Sequence, residues 1–217
     1  MLDKCTTKSW ETSLYEPQQL YYNLMGEKIL TDKNVKSAYY MAKHKQSCDS
    51  PAWDGMTRTI LIDGMEQDQA WSLIRYHILH GPSDCVKRFD IPKSNGKTRP
   101  ISIYPLLDRV AQWCIMEPLR KACGPLLSPI NHAFLKGKSC KTAFEAFPPA
   151  GEAGYVICGD IHSFFDTVSH SLVRACLWSA GIRDSQLLHT INVTLKTPYK
   201  YPKQPKVRPE QGLPQGA

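Results

Sequence analysis

Two carboxylates at the end of a short apolar run are the first residues whose types and spacing suggest chemistry. Residues 155–158 read Tyr-Val-Ile-Cys, Asp160 follows them, and Asp166 comes six positions later. Phe164 and Phe165 stand between the two acids, and Ser169 is placed to start a helix. The pattern predicts a β-strand that delivers the Asp160 carboxylate to a rim. If the chain has catalytic chemistry, we expect it in this stretch.

The composition is that of a folded and basic protein. The chain has 217 residues, of which 42% are hydrophobic, and this content excludes a disordered chain. Its net charge of +7 favours a polyanionic partner such as nucleic acid. No apolar run approaches the roughly 18 residues that span a bilayer, and no N-terminal leader stands out, so we expect a cytoplasmic protein that does not enter a membrane. Eight cysteines without a Cys-x-x-Cys pair predict reduced, mostly buried thiols rather than a clustered zinc module.

A basic β-hairpin is predicted over residues 86–103. Two β-type runs flank a Ser-Asn-Gly turn at residues 94–96. The hairpin carries five cations, which are Lys87, Arg88, Lys93, Lys97 and Arg99. Lys97 and Arg99 are two positions apart, which places both on one face of a strand, where they can bind successive phosphates. The alternative is a solvated edge strand guarded by lysines, and the hairpin alone favours neither interpretation.

Helices are predicted on either side of this hairpin. Apolar spacing and caps place them over residues 34–45, 66–80, 107–123, 139–147, 169–180 and from 184 or 185 to about 196. His77 and His80 are one turn apart, but without a third ligand they are better explained as core or surface residues than as a metal site. Arg109 has two open roles, a contact to a backbone phosphate or a bridge to Asp108. Residues 199–208, rich in Lys and Pro, suit an arm or an edge hairpin.

Six short motifs occur in an order and spacing that resemble the reverse transcriptases of bacterial group II introns and retrons. They are Asp54-Gly55-x-Thr57, Pro92-Lys93-x-Asn95-Gly96-Lys97-x-Arg99-Pro100, Asp108-Arg109-Val110-x-Gln112, Phe134-x-Lys136-Gly137-Lys138-Ser139, Asp160-Ile161-x-x-Phe164-Phe165-Asp166 and Gly212-x-Pro214-Gln215-Gly216. The resemblance covers residues 30–217, and it carries the functional hypothesis. Trp53 departs from the small or β-branched residue usual in group II members, while residues 134–137 are closer to retrons, so the subfamily stays open.

The resemblance implies an α+β fold with the right-hand polymerase architecture. We expect fingers and an incomplete palm, in which helices pack on an antiparallel sheet, with the thumb absent. The expected divisions are a helical lead-in over residues 1–50, fingers over 51–150, and a partial palm over 151–217, from motif A to the Pro-Gln-Gly box. The implied function is an RNA-directed DNA polymerase, a nucleotidyltransferase that works by two-metal phosphoryl transfer. It would use Mg²⁺ or Mn²⁺, dNTP substrates, a DNA primer and an RNA template, with intron or retron RNA as a candidate template.

The same motifs assign expected roles to individual residues. Asp160 would be the catalytic carboxylate and a metal ligand, helped by the carbonyl of Ile161, because such cations take hard oxygen ligands. The expected nucleotide contacts are Lys97, Arg99, Ile161, Phe165 and Gln215. Phe165 would be the steric gate, since a ring beneath the sugar leaves no room for a ribose hydroxyl. The expected nucleic-acid contacts are Lys93, Arg109, Lys136 and Lys138. Asp166 is expected to orient its loop or cap the next helix.

One departure from the family limits the expected activity. The Tyr-x-Asp-Asp box, which supplies the family's other palm carboxylates, does not occur in the 217 residues. One carboxylate cannot hold two divalent ions against water, so we expect this truncated chain to be inactive alone. Two other interpretations remain open. In one, the chain is a non-catalytic RNA-binding module whose hairpin and Lys-rich residues 199–208 bind phosphates. In the other, it is a half that completes a palm with a second chain.

Overall fold

Helices outnumber strands in the computed structural model, which describes residues 19–94, 96–147 and 155–213. The α-helices are α1 (Asp32–His44), α2 (Arg58–Ile62), α3 (Gln67–His80), α4 (Leu106–Cys123), α5 (Cys140–Glu145), α6 (Phe164–Thr167), α7 (His170–Ser179) and α8 (Ser185–Leu195). The strands are β1 (Val86–Pro92), β2 (Thr98–Ile103) and β3 (Tyr199–Lys200). A π-helical turn (Met25–Ile29) and two 3-10 turns (Gln46–Asp49 and Gly124–Leu126) complete the regular structure of the described residues. The fold is therefore mixed α and β, with a small sheet.

The core forms where α1, α3 and α4 pack against one another. Each helix buries the face that its apolar spacing predicts, because positions three and four apart share one side of a helix. The buried residues of α1 and α3 are Val35, Ala38, Tyr39, Ala42, Ala70, Ile74 and Ile78. The predicted helices over residues 34–45, 66–80 and 107–123 are confirmed within one or two residues at their ends.

Residues 21–29 contribute to the same core. The main chain of Tyr21 accepts a hydrogen bond from Arg183 N–H at 2.8 Å and donates one to Gly181 at 2.9 Å. Leu24 and Met25 are buried in the cluster that also holds Leu106 and Ile182. This core takes residues from both sides of the predicted boundaries at 50 and 150, and those boundaries stay predictions.

Both helices at the C-terminal end begin at the predicted caps. The Ser169 side chain accepts a hydrogen bond from Ser171 N–H at 3.2 Å at the start of α7. The Asp184 side chain accepts from Leu187 N–H at 3.0 Å at the start of α8. Asp184 also accepts from Met25 N–H at 2.7 Å, so this cap ties the helix to the N-terminal segment.

The sheet has the strand order β2-β1-β3 and is mixed, which corrects the expectation of an antiparallel sheet. β1 and β2 form the predicted antiparallel hairpin, with Ile91 opposite Arg99. β3 pairs in parallel with β1, and Lys87 lies opposite Lys200. The parallel pair is possible because the helices between the hairpin and β3 carry the chain back to the same end of the sheet. A bridge between Tyr199 and Val207 makes residues 199–207 an edge hairpin, as predicted.

The predicted strand over residues 155–158 is wrong. This segment has no regular secondary structure, and Tyr155 and Ile157 are 94% and 96% exposed. Local β propensity suggested a strand, but a strand needs a neighbouring backbone for its N–H and C=O groups. Among the described residues, no segment pairs with this one, so its main chain stays solvated. No helix of the described part of the chain is long and apolar enough to cross a bilayer.

Candidate functional site

Asp160 lies in the exposed segment before α6. Asp160 and Ile161 are both exposed, and Ile161 is 66% accessible. The chain then turns at Ser163, whose φ of 48° is in the left-handed region, and enters the single turn of α6. Phe164 and Phe165 follow with their rings edge to face, 5.7 Å apart. The turn therefore places two aromatic rings directly after the predicted metal-binding carboxylate.

Main-chain hydrogen bonds join residues 212 and 213 to α6 and to the residue that follows it. Leu213 N–H donates to the carbonyl of Phe165 at 2.5 Å, and Gly212 N–H donates to the carbonyl of Val168 at 2.8 Å. Gly212 has a φ of +87°, and a Cβ at this position would lie 2.8 Å from the Phe165 oxygen. Glycine is thus required here by both backbone conformation and close approach. The structure brings together two of the six motifs, which are 46 or more residues apart.

His170 adds a side-chain link to the same contact. It is 5% exposed at the start of α7, and its Nε2 lies 2.8 Å from the Gly212 carbonyl oxygen. A carbonyl can only accept, so Nε2 carries the proton and donates it. The sequence pattern assigned this histidine no role. Its position one residue after a predicted helix cap is the only local signal it carries.

Arg88 joins the hairpin to this site. Its guanidinium lies 3.6 Å from Asp166 and 4.3 Å from the centre of the Tyr199 ring, and its side chain is 14% exposed. The structure thus gives Asp166 an orienting contact, the kind of role expected for it. A cleft of about 280 Å³ opens beside this pair. Its lining includes Arg88, Phe165, Asp166, Tyr199, Arg208 and Gly212.

The expected triphosphate contacts lie elsewhere on the hairpin. Lys97 and Arg99 are exposed, and neither lines the cleft at Phe165. Lys93 is exposed too, and its N–H donates to the carbonyl of Lys97 at 2.6 Å to close the turn. The cleft instead contains Arg88 and Arg208. In the sequence, Arg88 was counted among five hairpin cations without being distinguished, and Arg208 was included only within residues 199–208 of the RNA-binding alternative.

The other expected nucleic-acid contacts divide into two groups. Lys136 and Lys138 are exposed in a turn before α5, and Lys138 Nζ donates to the Pro129 carbonyl at 3.3 Å. Arg109 is 8% exposed and donates to the carbonyls of Ser47 and Ser50 at 2.8 and 3.2 Å. Burial lowers the pKa of Arg109 from its ordinary value. Its donors hold the chain before α2, which corrects the expectation that Arg109 contacts nucleic acid.

Asp108, which precedes Arg109 on α4, is also buried. It is 3% exposed, and its Oδ1 accepts from Ser83 N–H at 2.9 Å. The same oxygen lies 2.5 Å from His77 Nε2. His77 therefore has a structural partner, which agrees with the interpretation of the histidines as core or surface residues.

The metal site implied by the resemblance is only partly represented in the described residues. None of them forms a group of three or more His, Cys, Asp or Glu side chains that could hold a metal ion. Asp160 is exposed and available as a ligand, whereas Asp166 is engaged by Arg88. A single carboxylate does not fit two divalent ions, each of which needs several oxygen ligands. The expected nucleotide contact Gln215, with Pro214 and Gly216, lies outside the described residues, as does Asn95.

The free cysteines differ from the expectation of mostly buried thiols. Among the described residues, Cys48, Cys85 and Cys114 are buried, Cys123 is half-buried, and Cys140, Cys158 and Cys176 are exposed. Burial raises the pKa of the Cys114 thiol to about 12. Burial also raises the pKa of the Cys48 and Cys85 thiols, which makes the three buried cysteines poor nucleophiles.

Comparison with known proteins gives one consistent family. A family model described as reverse transcriptase (RNA-dependent DNA polymerase) matches residues 91–217, more than half of the chain. The putative COX1/OXI3 intron 1 protein of Saccharomyces cerevisiae is 30% identical over 133 residues, which are 61% of this chain and 16% of that protein. Protein YkfC of Escherichia coli is 28% identical over 155 residues, covering 68% of this chain and 40% of YkfC.

A third relative is named for a group II intron. The group II intron-encoded protein LtrA of Lactococcus lactis is 28% identical over 116 residues, which are 52% of this chain and 19% of LtrA. The chain thus spans less than half the length of each of these relatives. The matched region contains Asp160, Phe165 and Gly212, and the structure joins the Phe165 turn to the Gly212 segment. The chain therefore belongs to the reverse transcriptase (RNA-dependent DNA polymerase) family.

Proposed function

We propose that this chain is the fingers and part of the palm of a cytoplasmic RNA-directed DNA polymerase of the group II intron or retron type. Its partners would be an RNA template and a DNA primer, and its substrates dNTPs with Mg²⁺ or Mn²⁺. The single observation that carries the proposal is the contact between α6 and the segment at Gly212. Two motifs distant in sequence meet there, next to a cleft lined by arginines.

The cleft at Phe165 supports a nucleotide site. Phe165 is 40% exposed, so its ring is accessible, while its carbonyl is held by Leu213 N–H. A ring on a fixed main chain can discriminate against a ribose hydroxyl by exclusion, which is the gate role that we propose for it. Arg88 and Arg208 bring positive charge to the same cleft, and guanidinium groups bind phosphate oxygens in a bidentate manner. We propose these two arginines as triphosphate contacts. Lys97, Arg99 and Gln215 are also proposed as nucleotide contacts, with Lys97 and Arg99 reaching the nucleotide from outside this cleft.

Asp160 is proposed as one ligand of the divalent ions, with the Ile161 carbonyl beside it. When bound, such ions activate a primer hydroxyl and stabilise the charge on the transferred phosphoryl group. The remaining ligands have to come from outside the described residues. Lys93, Lys136 and Lys138, all exposed, are proposed as phosphate contacts for the template or primer.

Primer extension tests this proposal. The substrate is an RNA template annealed to a labelled DNA primer, with dNTPs and Mg²⁺ or Mn²⁺. The 217-residue polypeptide is expected to bind the hybrid without extending it, because it offers Asp160 and no Tyr-x-Asp-Asp box. Extension is expected when a polypeptide carrying a Tyr-x-Asp-Asp box is added, and it should disappear with Asp160→Asn. The matched variant Asp166→Asn should retain measurable extension. Synthesis that is indifferent to Asp160→Asn would contradict the assignment.

A non-catalytic RNA-binding module is the second candidate function. The observation that favours it is the exposure of Lys93, Lys97 and Arg99 on the hairpin. Binding that falls with salt, and that falls further in the double variant Lys97→Gln and Arg99→Gln, fits this function. It becomes the better proposal if the supplemented polypeptide binds the hybrid and never extends it. In that case a role as one half of a two-chain palm is excluded as well.

A further inference from the structure

Trp53 is an exposed aromatic ring in the turn between the 3-10 turn Gln46–Asp49 and α2. The turn is formed by Asp54, whose Oδ1 accepts from Met56 N–H at 3.2 Å, and by Gly55 with a φ of +71°. Trp53 itself is 43% exposed, although tryptophan is usually well buried. Trp53 therefore lies in a defined turn of the main chain, and a large part of the residue remains in contact with solvent.

Two lysines from neighbouring strands lie against this ring. Lys87 Nζ is 5.6 Å from the ring centre, and Lys200 Nζ is 5.5 Å from it. Lys87 and Lys200 are opposite one another in the β1–β3 pair, so their side chains leave the sheet on the same side. Like charges opposite one another destabilise a sheet. Neither ammonium forms an ion pair within the described residues, and each lies near the Trp53 ring.

A cleft of about 310 Å³ adjoins the ring, at the lower end of the range for small-molecule sites. Its lining includes Trp53, Asp54, Asp84, Pro105, Lys200 and Lys206. Lys206 forms an ion pair with Asp84, whereas Lys200 has no carboxylate partner in the described part of the chain. The surroundings thus combine a partly exposed aromatic ring, one lysine, Lys200, that forms no ion pair among the described residues, and the acceptor oxygens of Asp54 and Asp84.

This site is separate from the cleft at Phe165. Successive residues of a strand point to opposite faces, so Lys87 and Arg88 leave β1 on opposite sides. Arg88 contacts Asp166 and Tyr199, and Lys87 contacts Trp53. The Trp53 ring and the proposed nucleotide cleft therefore lie on opposite faces of the sheet.

We propose that Trp53 is a stacking platform for a base of single-stranded RNA, with Lys87 and Lys200 holding the phosphates on either side of that base. Single-strand binding sites combine an aromatic face with basic residues in this way, and stacking tolerates any base sequence. The inference rests on the proposed function, because it places an unpaired part of the template on the face of the sheet opposite the cleft. An acidic peptide would use the lysines but would not need an open ring.

Fluorescence anisotropy with the full 217-residue chain tests the proposal. The probes are a labelled single-stranded RNA 12-mer, the same RNA in a blunt hybrid with DNA, and polyglutamate as a competitor. Trp53→Ala is expected to weaken single-stranded RNA binding by about tenfold to a hundredfold, the usual effect of losing one stacked base. Binding of the blunt hybrid should change less than about twofold, because its bases are already stacked. Trp53→Phe should recover most of the loss, which separates stacking from misfolding.

Trp178 provides the matched control. It is 53% exposed on α7 and also carries a cation over its ring, with Arg183 at 3.7 Å. Trp178→Ala is expected to leave RNA affinity unchanged. Lys87→Gln and Lys200→Gln should each reduce the salt dependence of RNA binding by about 0.7 in the slope of log K against log salt.

The outcomes distinguish this inference from the proposed function. If Trp53→Ala binds single-stranded RNA like Trp178→Ala, or loses equal affinity for RNA and blunt hybrid, stacking at Trp53 is refuted. Hybrid binding by the unmodified chain would then still support the polymerase proposal. If polyglutamate displaces the RNA when the two polymers carry the same concentration of negative charge, Lys87 and Lys200 bind an acidic peptide rather than RNA phosphates. If the unmodified chain binds neither RNA nor hybrid, both proposals fail.

Discussion

The contact between Gly212 and α6 can be broken by adding a single methyl group. In Gly212→Ala the new Cβ would lie 2.8 Å from the Phe165 oxygen and 3.0 Å from the Asp166 oxygen. Both atoms belong to the main chain of a hydrogen-bonded turn, so neither can move aside as a flexible side chain would. The segment at residues 211–213 therefore has to move, and the hydrogen bonds from Gly212 and Leu213 are lost with it.

Two separate costs contribute to the expected destabilisation. An alanine at a φ of +87° costs about 1–2 kcal/mol, because a Cβ is disfavoured in the left-handed region. Overpacking against a rigid neighbour costs about 1–3 kcal/mol more. Gly137→Ala is the matched control. Gly137 has a φ of +79°, and apart from its two adjacent residues no atom lies within 4 Å of the point that its Cβ would occupy. It should show the conformational cost alone.

Urea unfolding and hydrogen exchange measure the two effects. The free energy of unfolding should fall by about 1–3 kcal/mol more in Gly212→Ala than in Gly137→Ala. Amide protection of Gly212, Leu213 and residues 164–170 should be lost in Gly212→Ala and retained in Gly137→Ala. If the contacts that hold residues 211–213 on α6 are weaker than the steric repulsion from the new Cβ, this segment detaches. The loss of amide protection is then larger than the loss of global stability. Equal stability and equal protection in the two variants would refute the packing argument.

Two further predictions concern the core. Asp184→Ala should lower the free energy of unfolding by about 2–4 kcal/mol, because it removes a buried acceptor of two N–H groups. Ser169→Ala, at an exposed helix cap, should lower it by about 1 kcal/mol. Urea titrations in which the two variants lose equal stability would contradict this prediction. The buried Cys114 thiol has a pKa raised to about 12, above its unfolded value of 9.0, so its contribution to stability is complete below pH 9 and is lost as pH rises toward 12. Between pH 9 and 11 the free energy of unfolding should therefore fall more steeply for the unmodified chain than for Cys114→Ala, by up to about 1.4 kcal/mol per pH unit. Parallel pH profiles of the two proteins would show instead that the thiol ionises equally in the folded and unfolded states.

The sequence was sufficient to predict the longer helices and the β1–β2 hairpin, because interactions between residues close in the chain determine these elements. The helix faces follow from apolar spacing, and the starts of α7 and α8 follow from Ser169 and Asp184, whose side chains cap the next turn. The β1–β2 hairpin follows from its short turn. Each of these elements satisfies its own backbone groups or does so with an immediate neighbour in the chain.

The remaining features depend on contacts between distant residues. The pairing of β3 with β1 joins residues more than a hundred positions apart, and no local pattern encodes its parallel direction. Residues 155–158 have the composition of a strand, but a strand is stable only beside another one. The site was predicted in the same uneven way. Motif resemblance pointed to Asp160 and Phe165 as candidates, whose roles stay predictions. The link through His170 and the cleft arginines emerged only once the chain was folded.

The adjacent cations of β1 show why charge counting alone could not assign roles. Lys87 and Arg88 are neighbours in sequence, and both were counted from the sequence among the five cations of one basic hairpin without being distinguished. The two-residue period of a strand sends them to opposite faces, where Arg88 meets Asp166 and Lys87 meets Trp53. Any shift of β1 by one residue would exchange these partners and place the lysine at the nucleotide cleft. The register that β3 and β2 impose on β1 therefore determines which cation serves the proposed nucleotide site and which serves the proposed single-strand site.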